Sequence, residues 1–130
     1  MKAIFIFIFI SEVLLANSYE IKLYEMLFTK LFEKQKINLF VDKNQKEFKN
    51  SKVLKIVNTC KKADLVLLYD INNLKCKNKP IFVTSYIDFI SSNAIGAFYW
   101  RKGRPQIILN KTMILSYHLH LDKSLLKYVK

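Results

Sequence analysis

The sequence predicts an α/β fold: a mixed sheet, parallel at its centre, with helices on both faces and a C-terminal β-hairpin followed by two short helices. Three observations carry that prediction. A broad helical apolar face opens the body of the chain at residues 19–34. Two runs, ADLVLLYD (63–70) and PIFVTSY (80–86), are almost wholly apolar, as strands covered on both faces are. The segment GAFYWRKGRPQIILN (96–110) then reads as two strands about a turn. Helix and apolar strand alternating in this way place a parallel sheet between helical layers.

Each element has its own reason. In YEIKLYEMLFTKLFEK (19–34), Leu23, Leu27 and Leu31 form one row and Tyr24, Phe28 and Phe32 the next, a spacing that only a helix turns to one side. INLFVD (37–42) is a short β-type run ended by the polar stretch KNQKEFKNSK. VLKIVN (53–58) alternates as a second strand. The two apolar runs follow, the second with Pro80 at its first residue, where a missing N–H is tolerated. A short helix is expected over 87–92. IGAFYW and QIILN are the arms of the hairpin, RKGRP its turn, and Gly103 can supply the positive φ that a tight reversal needs. KTMILSYHLH reads as a helix, and LDKSLLKYV as a final short one with Asp122 at its N-cap.

The N-terminus, MKAIFIFIFISEVLLANS, has the layout of a secretory signal peptide: Lys2, an apolar run over 3–10, and small residues Ala16 and Ser18 flanking a cut before Tyr19. An uncleaved membrane anchor is the rival, but Ser11 and Glu12 interrupt a run already shorter than the ~20 residues a bilayer requires. Cleavage after Ser18 places the protein in the periplasm and leaves residues 19–130 as a single domain of about 112 residues. Only Gly96, Gly103, Pro80 and Pro105 punctuate it, and no linker or repeat is visible.

The net charge of +12 invites a nucleic-acid reading. Arginine, the bidentate reader of phosphates and bases, occurs only at 101 and 104, and the lysines are spread along the chain. An exported protein also rarely meets nucleic acid, so the expectation is no nucleic-acid partner and a basic surface facing anionic lipid or cell-wall polymer. Cys60 and Cys76 are the two cysteines. An oxidising compartment favours a bridge between them, two free thiols being the alternative. Each precedes an apolar strand, so parallel neighbouring strands would bring both to one edge of the sheet.

Chemistry-bearing constellations are sparse. Two glycines cannot build a phosphate-binding loop or nucleophile elbow, so no nucleotide cofactor and no enzyme activity is expected. His118 and His120 have only Asp122 as a nearby third ligand, and the reading is no metal site. Asp42 and Asp70 end strands and could line a ligand crevice; as turn residues they would do nothing more. The concentrated polar feature is the hairpin tip, Trp100, Arg101, Lys102 and Arg104. It is the candidate ligand- or partner-binding site, able to grip a phosphate, a lipid head group or an acidic loop, with plain solvation of a turn as the alternative.

The C-terminal third also carries a resemblance. ILN (108–110) followed by KTMILSYHLHLDKSLLKYV resembles the closing signature of the YfiR-like periplasmic family: a strand ending in Asn, a helix, then a Leu-x-Ile-x-x-x-Leu-Leu tail. Asn110, Leu119, Leu121, Leu125 and Leu126 fall on its positions without a gap. Where the family carries a glycine that closes the helix, this chain has His118. The resemblance implies a small non-catalytic periplasmic domain that controls an inner-membrane signalling protein, such as a diguanylate cyclase, by protein–protein contact. It also implies tuning by cell-wall fragments or redox state. A small solute-binding module for an anionic ligand is the alternative.

Overall fold

A computed structural model describes residues 19–43 and 45–130; the leader expected over 1–18 lies outside the described residues. Residues 19–32 are helical (α1). The rows read from the sequence are the buried face, Leu23, Tyr24, Leu27, Phe28 and Leu31, with Phe32 half-buried against it. Burying five such side chains contributes roughly 10 kcal/mol before entropy is charged. Their rings knit α1 to the sheet. Phe28 meets Phe82 edge-on at 5.2 Å, and Tyr24 meets Phe98 edge-on at 5.7 Å. The helix ends where Glu33 turns to a left-handed φ of 52°.

Six strands form one sheet: β1 (Ile37–Val41), β2 (Leu54–Ile56), β3 (Leu65–Leu68), β4 (Ile81–Val83), β5 (Gly96–Arg101) and β6 (Arg104–Leu109). Their order is β2-β1-β3-β4-β5-β6. The first five run parallel, and β6 returns antiparallel to β5. One face packs under α1 together with Ile114 of helix α3 (Lys111–Ser116) and Leu125 of the closing 3-10 turn Lys123–Tyr128. The other carries Val66, Leu68, Ile81 and Val83 under Phe89 of helix α2 (Tyr86–Ile90). Helices thus cover both faces, as the apolar strands require.

The strands are shorter than their apolar runs, because side chains of the flanking residues cut them off. Asp64 is not part of β3: its Oδ2 accepts the Asn38 N–H at 2.8 Å, fastening β1 to the approach of β3. Thr84 and Ser85 leave β4 because Ser85 caps α2, accepting the Asp88 N–H at 3.1 Å. The helix expected over 111–120 stops at Ser116. Leu119 N–H reaches Ile114 O (3.1 Å) and His118 N–H reaches Leu115 O (3.0 Å), the paired bonds of a Schellman stop. The final helix is a 3-10 turn, and Asp122 does cap it by accepting the Ser124 N–H at 2.8 Å.

Two local devices fix the hairpin. Lys102 (φ 52°) and Gly103 (φ 75°) are both left-handed, the backbone of a two-residue type I′ reversal. The ladder therefore runs to the turn itself, and β6 starts at Arg104, before the strand read from the sequence. Pro105, opposite Trp100, occupies a position whose N side faces away from β5, so no ladder bond is lost. At the other end, a Cβ on Gly96 would lie 2.7 Å from both Leu109 Cδ2 and Phe82 Cε2 and 2.9 Å from Ile108 O. Glycine is what lets β4, β5 and β6 close up there.

Cys60 and Cys76 form a disulfide, with Cα atoms 5.9 Å apart. β3 and β4 are parallel neighbours, so both cysteines reach the same sheet edge as expected. The connection from β3 to β4 contains only the 3-10 turn Ile71–Asn73, where parallel strands commonly use an α-helix. The bridge ties that irregular crossover down. Among the described residues no helix is long and apolar enough to cross a membrane.

Candidate functional site

The C-terminal ends of the parallel strands are where an open α/β sheet offers a crevice. Here the acids at those ends are spent on the fold. Asp42 accepts the N–H of Tyr69 (2.9 Å), the N–H of Asp70 (3.1 Å) and the Asn73 amide (2.9 Å), pinning the exit of β3 to the exit of β1. Asp70 caps the following turn through Asn72 N–H at 2.9 Å. At the opposite edge, Asp64 adds an ion pair with Lys34 at 3.0 Å to its backbone bond. These carboxylates are the turn residues of the sequence reading.

The histidines do not converge on a metal. His118 lies at the helix stop with φ 59°. The His120 ring lies between Glu33 (3.6 Å) and Asp122 (3.9 Å) as the partner of two exposed ion pairs. Asp122 itself is committed: the Ser124 hydroxyl and then its N–H hold the carboxyl below its ordinary range, with Lys30 and His120 assisting. Among the described residues no group of three or more His, Cys, Asp and Glu could hold a metal ion.

The hairpin tip is different. Arg101 and Arg104 stand directly opposite each other in the register, on one face of the two-stranded ribbon. Both are exposed, and among the described residues no carboxylate lies within ion-pair distance of either. Like charges in direct register cost stability, so the fold itself has no use for this arrangement. Lys102 projects from the turn beside them. Trp100, the fourth residue singled out in the sequence, belongs to the other face by strand alternation. Its indole N–H donates to Glu20 at 2.6 Å, and its ring packs on Phe98 (5.8 Å) and Tyr19 (6.3 Å). The structure therefore brings the two arginines together and turns the tryptophan towards α1.

Trp100 lines a small cavity of about 190 Å³ with Glu20, Tyr24, Tyr69, Thr84 and Tyr99. Burial, with the nearby Tyr69 and Glu20 and Glu47, pushes the Tyr24 hydroxyl well above its ordinary pKa, so it remains a neutral phenol there.

The short helix expected over 87–92 is α2, and it carries an exposed apolar surface. On α2, Phe89 points into the core, while Ile87 and Ile90 are 72% and 60% exposed. Tyr86 faces Tyr99 at 6.0 Å, and Tyr99 shares its strand face with Arg101. Lys130 donates to the Tyr86 hydroxyl (2.6 Å) and sits over its ring at 4.8 Å. Tyr86 and Tyr99 thus link α2, with its exposed isoleucines, to the strand face that carries Arg101. The signal was present in YIDFI, whose apolar residues outnumber what one turn can bury. A scan against protein-family models finds no match to this chain, and a search of curated proteins finds none either.

Proposed function

We propose that this chain is a non-catalytic regulatory protein of the periplasm that acts by protein–protein contact. Its partner is an inner-membrane signalling protein, such as a diguanylate cyclase, with an acidic extracytoplasmic surface. The observation that carries this reading is the exposed Arg101–Arg104 pair, in register and without a counter-ion among the described residues, joined through Tyr99 and Tyr86 to α2, whose Ile87 and Ile90 are exposed. An apolar centre with a charged rim is the usual anatomy of a protein interface. The disulfide and the leader-like N-terminus support an oxidising compartment, and the C-terminal resemblance supports the class of partner.

Fishing with the exported protein in detergent-solubilised membranes tests the proposal. Wild type should retain a membrane protein that Arg101→Glu/Arg104→Glu and Ile87→Asp both release. Equal retention by all three forms would refute this face as the interface. A second reading, a small anionic ligand or cell-wall fragment at the same arginines, is supported by their exposed guanidinium groups standing in direct register. It predicts calorimetric binding of muropeptides that Arg101→Ala/Arg104→Ala abolishes with no membrane partner present.

A further inference from the structure

Five of the chain's lysines, four of them close together in sequence, converge at the far edge of the sheet. A cavity of about 530 Å³ opens beside β2, and five lysines line it: Lys36, Lys46, Lys49, Lys52 and Lys55. That volume is within the ~300–1,000 Å³ range of small-molecule sites. Four of the five recur at every third residue, from 46 to 55. The 3-10 turn Gln45–Phe48, with its three residues per turn, keeps Lys46 and Lys49 on one side, and the approach to β2 continues the row. Among the described residues no acid lines the cavity; Glu47, on the same turn, lines the adjoining depression with Lys43.

The floor is apolar, formed by Phe48, Leu54 and Ile56. The frame around it is fixed. Ser51 donates to Glu25 at 2.8 Å and accepts the N–H of Leu54 at 2.9 Å, so α1 and the start of β2 hold the rim together. Five ammonium groups around one concavity repel one another and focus a positive potential into it, an arrangement stabilised only when an anion enters. Lysine binds phosphate as a mobile point charge, whereas the apolar floor and the lysine stems suit hydrocarbon. The floor offers no exposed aromatic face, since Phe48 is buried, and a stacked base would find no platform.

We propose that this cavity binds a small phosphorylated amphiphile: a ligand with one or more phosphate groups set against the lysines and a short apolar segment along Ile56 and the lysine stems. The site lies at β2, the opposite end of the sheet from the hairpin, and stands independently of the partner surface proposed above. The same chemistry is presented by a free phosphorylated metabolite and by an anionic phospholipid at a membrane surface.

Isothermal titration of the residue 19–130 protein with monomeric dihexanoyl phosphatidic acid is the direct test. Saturable binding is expected, weakening as salt rises, with at least about tenfold loss in Lys46→Gln/Lys49→Gln/Lys52→Gln. Dihexanoyl phosphatidylcholine should not bind, and inorganic pyrophosphate should bind more weakly than the amphiphile because it leaves the floor empty. Sedimentation with vesicles containing phosphatidylglycerol separates the sources: co-sedimentation that the same variant loses assigns the ligand to the membrane, and monomer binding without co-sedimentation assigns it to a free molecule. Either result supports the proposal. Unchanged affinity in the triple variant would overturn it, as would equal binding of the choline lipid or tighter binding of a mixed-sequence DNA duplex. Self-association of a variant that still binds as wild type would assign the lysines to guarding the β2 edge against strand pairing, and would equally overturn it. The circular dichroism spectrum and melting temperature of the variant establish that it is folded.

Discussion

Removing the Cys60–Cys76 bridge should cost this protein a large fraction of its stability. The perturbation is the double substitution Cys60→Ser/Cys76→Ser. The closed loop spans a sequence separation of 16 and contains all of β3, a central strand. Releasing it returns loop-closure entropy to the unfolded chain, and at that length the chain-entropy relation gives about 3 kcal/mol. A domain of about 112 residues unfolds with an entropy of roughly 0.24 kcal/mol per kelvin, so the melting temperature should fall by ~13 °C. The native state gains little in exchange, because the β3–β4 crossover has no helix of its own to hold it against the sheet. Calorimetry of oxidised wild type, wild type with reductant, and the double variant measures the effect. The second and third should coincide, well below the first. Coincidence of all three within about 2 °C would refute the assignment of a bracing role to the bridge.

Three further outcomes follow from single side chains. His118→Gly should stabilise by roughly 0.5–1 kcal/mol, raising the melting temperature by ~3 °C, because His118 stands at φ 59° in a Schellman stop that glycine enters without strain; a lowered melting temperature would contradict it. Asp42→Ala should cost about 1–3 kcal/mol in urea unfolding by stripping the Tyr69 and Asp70 N–H groups of their acceptor, and a loss under about 0.5 kcal/mol would show that water replaces it. Glu47 has its carboxyl raised by burial and then by Glu20. A raised carboxyl favours folding below its unfolded pKa and opposes it as pH rises through the folded value, so Glu47→Gln should stabilise at neutral pH and be silent near pH 3. A gain of equal size at both pH values would contradict that linkage.

Most of the architecture was legible because burial writes itself as periodicity. The leucine and aromatic rows of α1, and the unbroken runs of β3 and β4, are patterns that only covered faces tolerate. RKGRP announced a turn for a similar reason, since Gly103 is one of only two glycines in the chain. Element ends were less legible. Asp64, Ser85 and the His118 stop act through bonds to residues that sequence order does not bring near, or through a left-handed φ that nothing in a histidine advertises.

The sites divide along the same line. Arg101 and Arg104 were visible as a cluster because a two-residue turn makes sequence neighbours spatial neighbours. Trp100 was grouped with them by proximity in sequence, and strand alternation sends it to the opposite face, where Glu20 holds it. The helix over 87–92 was legible, but which of its apolar residues stay exposed was not, because a five-residue helix has only one turn to bury and the sheet decides which side that is. The lysine cavity is assembled from the entry to β1, a 3-10 turn and β2, so a search for charge on a single helix face passes over it; the three-residue recurrence from Lys46 to Lys55 was its one linear trace.

We propose that a membrane-bound partner docks on the Arg101–Arg104 face with Tyr86, Ile87 and Ile90, and in-cell photo-cross-linking from a benzophenone amino acid at position 87 reads that docking. One adduct with an inner-membrane protein is expected, lost when Arg101→Glu/Arg104→Glu is introduced into the same chain. An exported, oxidised protein that yields no adduct from position 87, or the same adduct with both arginines reversed, would contradict it.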